Sequence, residues 1–314
     1  MARTRFIKDT GLTARMTLVM FLLGGLFVAL VVGLMYAMPN YAIIIGIVGL
    51  GIVWFQWYNS DTLALKAMRS RIVTPEEAPE LHGMIDRLCA MADMPKPRVG
   101  ISYTDLPNAF ATGRSPHRSA VVVTTGILDR LTTDELEGVL AHELSHVAHR
   151  DVLVMTLASS AGIIAGMATR GAQYGAIFGG RSRDNNGAGA FGFLIALVVS
   201  LVVYAISFFL TRLLSRYREL SADRAGAYLT QKPSALASAL TKITGEISAI
   251  PQRDLRAAKN MNAFFIAPAI SGATMTTLTS SHPSLEQRLQ QLAKVSAELG
   301  RPFDGGFPAP GSER

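Results

Sequence analysis

Four stretches of this 314-residue chain are too apolar to be ordinary surface elements. Met16 to Tyr36 carries no charge and is long enough to cross a bilayer as a helix. Tyr41 to Trp57 is a second, shorter run, and Met38-Pro39-Asn40 between them reads as an uncharged turn. Val152 to Ala168 is weaker, being rich in Ala, Gly, Ser and Met, whereas Phe191 to Thr211 is long and free of charge. Elsewhere the pattern is that of water-soluble structure. Leu136, Val139, Leu140, Leu144 and Val147 recur at helical spacing behind a Thr132/Glu135 capping box, with no Gly or Pro from Val139 to Val154. Thr74-Pro75-Glu76-Glu77 predicts a helix start that runs to about Met91, striped by Leu81, Met84, Ile85 and Leu88. Ser234 to Ile250 and Pro283 to Leu299 predict two more helices, while Arg98 to Tyr103 and Ser119 to Thr125 are strand-like. The expected fold class is mainly α with a small β-sheet, in a multi-span integral membrane protein. Arg181 to Gly189 reads as a flexible loop and Gly300 to Arg314 as a disordered tail.

Composition supports the membrane reading. Only 17% of residues are charged, 49% are hydrophobic, and the mean hydropathy is +0.30. The first run is longer than a signal-peptide core and has no small-x-small cleavage site before the second run, so a retained helical hairpin is expected. Trp54, Trp57 and Tyr58 at its exit fit an interfacial aromatic belt. Arg3, Arg5, Lys8 and Arg15 precede the hairpin, and Lys66, Arg69 and Arg71 follow it, which places both flanks in the cytoplasm. That distribution accounts for the net charge of +7 without a nucleic-acid partner. Cys89 is the single cysteine, expected to be a small buried hydrophobe, and no intrachain disulfide can form. His82 and His117 have no partner pattern and are expected at the surface.

The chemistry resides in His142-Glu143-Leu144-Ser145-His146. On a helix, residues four apart share a face, so both imidazoles reach one metal ion, and Zn²⁺ suits them. Glu143 is placed to take a proton from the water that the metal activates. A three-histidine version would need a glycine at position 149 and a histidine at position 152. This chain has His149 and Val152 there, so that version is excluded. His149 lies about 10 Å along the axis from His142 and is expected on the helix surface or behind the ligands. A carboxylate from a later helix is the remaining common solution. Glu219 is the best candidate because Asp223 lies four residues on, on the same face, where it could hold a ligating histidine. A solvated helix with Arg216, Arg218 and Arg224 interspersed is the competing reading. Glu246, Glu286 and Glu298 have no carboxylate four residues on. If His142, His146 and Glu219 meet at one ion, the chain between them crosses the membrane an even number of times. Two crossings are favoured over none because Phe191 to Thr211 can span. A scaffold with a structural metal is the non-enzymatic rival, but such sites usually close with four protein ligands.

Taken together, these features resemble the HtpX family of bacterial membrane zinc metalloproteases, related to the Ste24-type proteases. The match covers Asn108-Ala109-Phe110-Ala111-Thr112-Gly113, the motif at 142–146 with Arg150-Asp151 after it, Glu219 with Asp223, and His282-Pro283-Ser284. The resemblance implies a gluzincin-like catalytic domain facing the cytoplasm from the inner membrane. One Zn²⁺ would sit on His142, His146 and Glu219, with Glu143 as the catalytic base and Asp223 behind His142. It implies protein substrates, above all misfolded or damaged membrane proteins, cleaved in quality control and stress response, and self-cleavage. Asn108, Ala109, Phe110 and His282 are expected near the substrate, the first three on an edge strand and His282 at the developing oxyanion. A prenyl-protein (CAAX) type of membrane protease is the alternative within this group, ranked behind because those proteases have more spans than this chain supplies. The expected division is a membrane hairpin (1–58), a first catalytic part (59–151), a second apolar pair (152–211), a second catalytic part (212–299) and a tail (300–314).

Overall fold

The computed structural model describes residues 10–37, 39–178, 187–249, 266 and 280–304. Helices dominate, with one four-stranded mixed sheet. The chain divides into two compact units, residues 14–58 with 153–214, and residues 1–13, 59–152 and 215–314.

The first unit holds α1 (Thr10–Ala37), α2 (Pro39–Tyr58), most of α7 (Asp151–Phe178) and the first part of α8 (Gly187–Thr230). Among the described residues, two helices, α1 over Thr13–Gly33 and α8 from Leu197, are long and apolar enough to cross a membrane. The apolar part of α2, Gly46–Tyr58, is shorter. Leu30, Ile164, Ala165 and Val203 form a small buried cluster, while Phe21, Val32, Ile47, Leu201 and Val202 face outward. Apolar residues on the outside of an apolar bundle are what lipid contact requires. A Cβ at Gly49 would stand 2.6 Å from Ile164, so this glycine permits the close approach of α2 and α7. Trp54 and Tyr58 stack at 5.1 Å where α2 ends. The expected loop at 181–186 lies outside the described residues, and 187–189 are already helical.

The second unit is built on α3 (Ser60–Ala67), β1 (Ser70–Ile72), α4 (Pro79–Ala92), β2 (Arg98–Ser102), β3 (Ala109–Ser115), β4 (Arg118–Thr124), α5 (Thr125–Arg130) and α6 (Thr133–Ala148). The end of α8, α9 (Pro233–Ala249) and α10 (Leu285–Glu298) complete it. The strands run in the order β1-β2-β4-β3, with β2 and β4 parallel and the other pairs antiparallel, so β3 is an edge. Strand alternation sorts the side chains. Ala109, Val121 and Val123 face the core of α4, α6, α9 and α10, while Phe110 and Val122 pack on Ala64 and Met68 of the α3 side. The capping box forms as its spacing predicts: Glu135 N–H donates to Thr132 Oγ1 and Thr132 N–H to the Glu135 carboxylate.

Three local expectations are corrected. The helix expected from Thr74 starts at Pro79, because Thr74–Glu77 closes its own turn and Ala78, before a proline, is held out of helical geometry (φ −144°). His82 is buried, its Nε2 3.1 Å from the Val73 carbonyl, whereas His117 is exposed as expected. The start of the expected tail is docked: the Pro302 carbonyl accepts from Ser234 and Ser296, and 305–314 lie outside the described residues. Cys89 is buried, and burial pushes its thiol up to about 11.

Candidate metal centre

Helix α6 delivers His142 and His146 from its last two turns, and α8 delivers Glu219 and Asp223 from the turns after its apolar stretch. Gly226 on α8 lets the two helices touch: a Cβ there would stand 2.9 Å from the His142 backbone nitrogen. The two imidazole Nε2 atoms lie 3.2 Å apart, and the Glu219 oxygens lie 3.7 Å from His142 Nε2 and 3.5 Å from His146 Nε2. One ligand atom from each of the three residues falls within 4.8 Å of the others. A tetrahedral ion with bonds of about 2.0–2.1 Å sets its ligand atoms roughly 3.3–3.5 Å apart. Two imidazoles and one carboxylate at these separations therefore fit zinc in both chemistry and spacing.

Each histidine turns its other nitrogen to a buried aspartate that is itself held by an arginine. His142 Nδ1 lies 2.9 Å from Asp223 Oδ1, and Arg288 grips Asp223 through Nε at 2.7 Å and Nη2 at 2.6 Å. His146 Nδ1 donates to Asp151 Oδ2 at 2.5 Å, and Arg218 Nη2 donates to the same oxygen at 2.7 Å. Carboxylates behind the imidazoles fix the tautomer that leaves Nε2 for the metal. The electrostatics follow from this packing. Burial opposes protonation of His142, but Asp223 and Glu219 outweigh it and push its pKa up to about 9. Burial would raise Glu219, Asp223 and Asp151, yet their cationic and imidazole neighbours hold all three below the usual carboxylate range. Glu143 is different: burial raises it, and the Ala111 N–H of β3 donates to its carboxylate. A raised carboxyl beside two imidazoles is suited to moving a proton near neutral pH.

The remaining candidates fall into two groups. His282 is drawn in, with Nδ1 3.3 Å from Glu219 Oε2. Asn108, Ala109 and Phe110 are all buried. The Asn108 side chain accepts from Ile266 N–H at 3.0 Å, and Phe110 belongs to the α3 side of the sheet. These three side chains are turned into the fold, and Asn108 stands one residue before β3, which is an edge strand. His149 caps α6, away from the ligand set. Arg288 escaped sequence reasoning altogether, and Arg218 was counted only as part of a solvated face. The signal for Arg288 was present: it shares the i, i+4, i+7 stripe of α10 with Leu292 and Val295, a place for a buried side chain.

The sequence profile of Peptidase family M48 matches residues 75–296, which span the whole ligand set. The chain belongs to peptidase family M48. It is 53% identical over 310 residues to the protease HtpX homolog 1 of Streptomyces coelicolor, covering 98% of this chain and 99% of that one. The protease HtpX homolog of Moorella thermoacetica is 48% identical over 299 residues, with 95% and 98% covered. The crystal structure of S. mikatae Ste24p shares the fold at a TM-score of 0.56 and 19% identity, over 89% of this chain and 65% of that one. Family and apolar helices together make this chain a membrane metalloprotease, as its sequence motifs predict.

Proposed function

We propose that this protein is a zinc endopeptidase of the cell membrane that cleaves misfolded or damaged membrane proteins. The observation that carries the reading is the convergence of His142, His146 and Glu219 beside the buried Glu143 and the edge of β3. His142, His146 and Glu219 would hold the ion, which supplies Lewis acidity to the scissile carbonyl and to water. Glu143 accepts the proton of the attacking water at its carboxylate and hands it to the leaving amine. Asp223 and Asp151 face the Nδ1 side of His142 and His146, which turns each Nε2 toward the ion and fixes the rings in orientation. The outward backbone groups of β3 pair with an extended substrate segment. His282, whose Nδ1 lies 3.3 Å from Glu219, would donate to the oxygen that gains charge.

The positive flanks put the catalytic unit in the cytoplasm, with α1 and α2 as one hairpin and α7 with the apolar part of α8 as a second. The resemblance to the HtpX proteases is what extends this reading to membrane-protein substrates and to self-cleavage. Zinc analysis and casein digestion of wild type, Glu219→Ala and Glu143→Gln test the site. Glu219→Ala should lose both zinc and activity, and Glu143→Gln should keep zinc while activity falls by about 10²–10⁴-fold. Full zinc and activity in Glu219→Ala would overturn the ligand set. Labelling of a cysteine placed at Asn185 from outside intact cells tests the second hairpin, and protection of that site removes it.

A further inference from the structure

Beside the ligand set lies a small cleft, partly open to solvent, between the C-terminal half of β3 and the junction of α6 with α7. Thr112, Gly113 and Ser115 form one wall, and His146, Arg150 and Val152 the other. His146 is a proposed metal ligand, so the cleft lies next to the proposed metal site. It starts at Ala111, whose N–H meets Glu143, and follows the strand away from it. A substrate paired along β3 would lay the side chains on one side of its scissile bond into this space.

Arg150 sets the character of the cleft. It is exposed, and among the described residues no carboxylate pairs with it. Its sequence neighbour Asp151 is already committed to Arg218 and His146. Arg150 also ends α6 in the left-handed region, at φ 56°, with its N–H donating to the Val147 carbonyl at 3.1 Å. Glycine is the usual residue at this point of a helix end because a Cβ is disfavoured there. Four non-glycine residues have positive φ among the described residues, and Arg150 is the one that lines this cleft. A strained backbone that carries an unpaired cation beside a reacting centre points to a use for the side chain.

We infer that this cleft is a specificity subsite in which Arg150 receives an acidic side chain of the substrate. The rest of the lining is small or apolar, as at Ala111, Gly113, Ser119 and Val147, apart from Asp151, whose carboxylate is already met by Arg218 and His146. The inference rests on the proteolytic reading given above.

Internally quenched peptides that differ at one position, Glu, Gln or Lys, scanned over three positions on each side of the scissile bond, provide the test. The full zinc-loaded chain in detergent is the enzyme. At one position wild type should cleave the Glu peptide about 3- to 10-fold better than the Lys peptide in kcat/KM, shrinking in high salt because the pair is exposed. Arg150→Glu should invert that ratio. Arg150→Gly, which suits the backbone geometry, should bring it close to one. A wild-type enzyme that cleaves all three peptides alike at every position, or an Arg150→Glu variant that keeps the wild-type ratio, overturns the subsite and leaves proteolysis standing. Loss of binding to vesicles containing an anionic lipid, with an unchanged Glu-to-Lys ratio, assigns Arg150 to the membrane surface and also overturns it. Failure to cleave both the peptides and casein removes the subsite together with the proteolytic reading.

Discussion

Replacing Arg288 with leucine is expected to weaken the catalytic unit more than any exposed charge substitution. The guanidinium makes hydrogen bonds of 2.7 and 2.6 Å to Asp223 and one of 2.7 Å to the Ile266 carbonyl, and both charged partners are buried. Leucine fills part of the volume but leaves a carboxylate whose one remaining partner in this cluster is His142. Removing one member of a buried pair costs about 3–5 kcal/mol, against 0–1 kcal/mol for an exposed one. At about 2–4 °C per kcal/mol in a domain of this size, the midpoint should fall by roughly 6–20 °C. Zinc adds positive charge on the other side of His142, so the loss should be smaller in the loaded protein. Pulse proteolysis of the purified protein, with and without zinc, reads the effect on the catalytic unit. Asp223→Leu with Arg288→Leu removes both charges and should recover much of the stability while zinc affinity stays low. A single variant within about 1 kcal/mol of wild type, or a double variant no better than the single one, would refute the buried-pair account.

Three further outcomes follow from the same geometry. Asp151→Asn should lower zinc affinity by about 10–100-fold in chelator competition, since it weakens the acceptor behind His146, and unchanged affinity would make Asp151 a bystander. Gly226→Ala should destabilise by about 1–3 kcal/mol despite alanine's better helix propensity, because the added methyl meets the His142 backbone rather than a movable side chain; a more stable variant contradicts the close contact. The pH dependence has a definite sign. His142, raised to about 9, must lose its proton before it can bind metal, so apparent zinc affinity should climb by about one log unit per pH unit between pH 7 and 9. The same protonated His142 stabilises the zinc-free protein fully below its unfolded value of about 6.5, and that contribution is lost as pH rises through about 9. A flat zinc affinity across this range would show that His142 is already neutral.

Local signals are legible wherever one residue's neighbours in sequence are also its neighbours in space. The α6 start is readable because Thr132 and Glu135 satisfy each other's backbone within one turn. The His142/His146 pair is readable because a helix repeats its face every four residues. The α4 start is misleading because Thr74 satisfies a turn as readily as a helix, and the choice fell to Pro79. His82 misleads for the opposite reason: its partner, the Val73 carbonyl, lies outside its own helix and leaves no trace in the helical pattern.

By itself the sequence marked the apolar runs, the strands β2 and β4, the helices α4, α6, α9 and α10, the two histidines with Glu143 between them, and the short menu of carboxylates. These follow from periodicity and from covalent neighbours, which no packing can rearrange. Sequence spacing favours Glu219 with Asp223; tertiary structure brings both to the imidazoles, and it alone sets Asp151 behind His146. It also turned Arg288 from a surface-type residue into a buried partner and set Arg218, half-buried, against Asp151. A buried charge is tolerated only where an opposite charge meets it, and those partners come from α6, α7, α8 and α10, between residues 142 and 288. Which pairs meet is fixed by helix packing, down to the single glycine at 226 that lets α8 lie against His142.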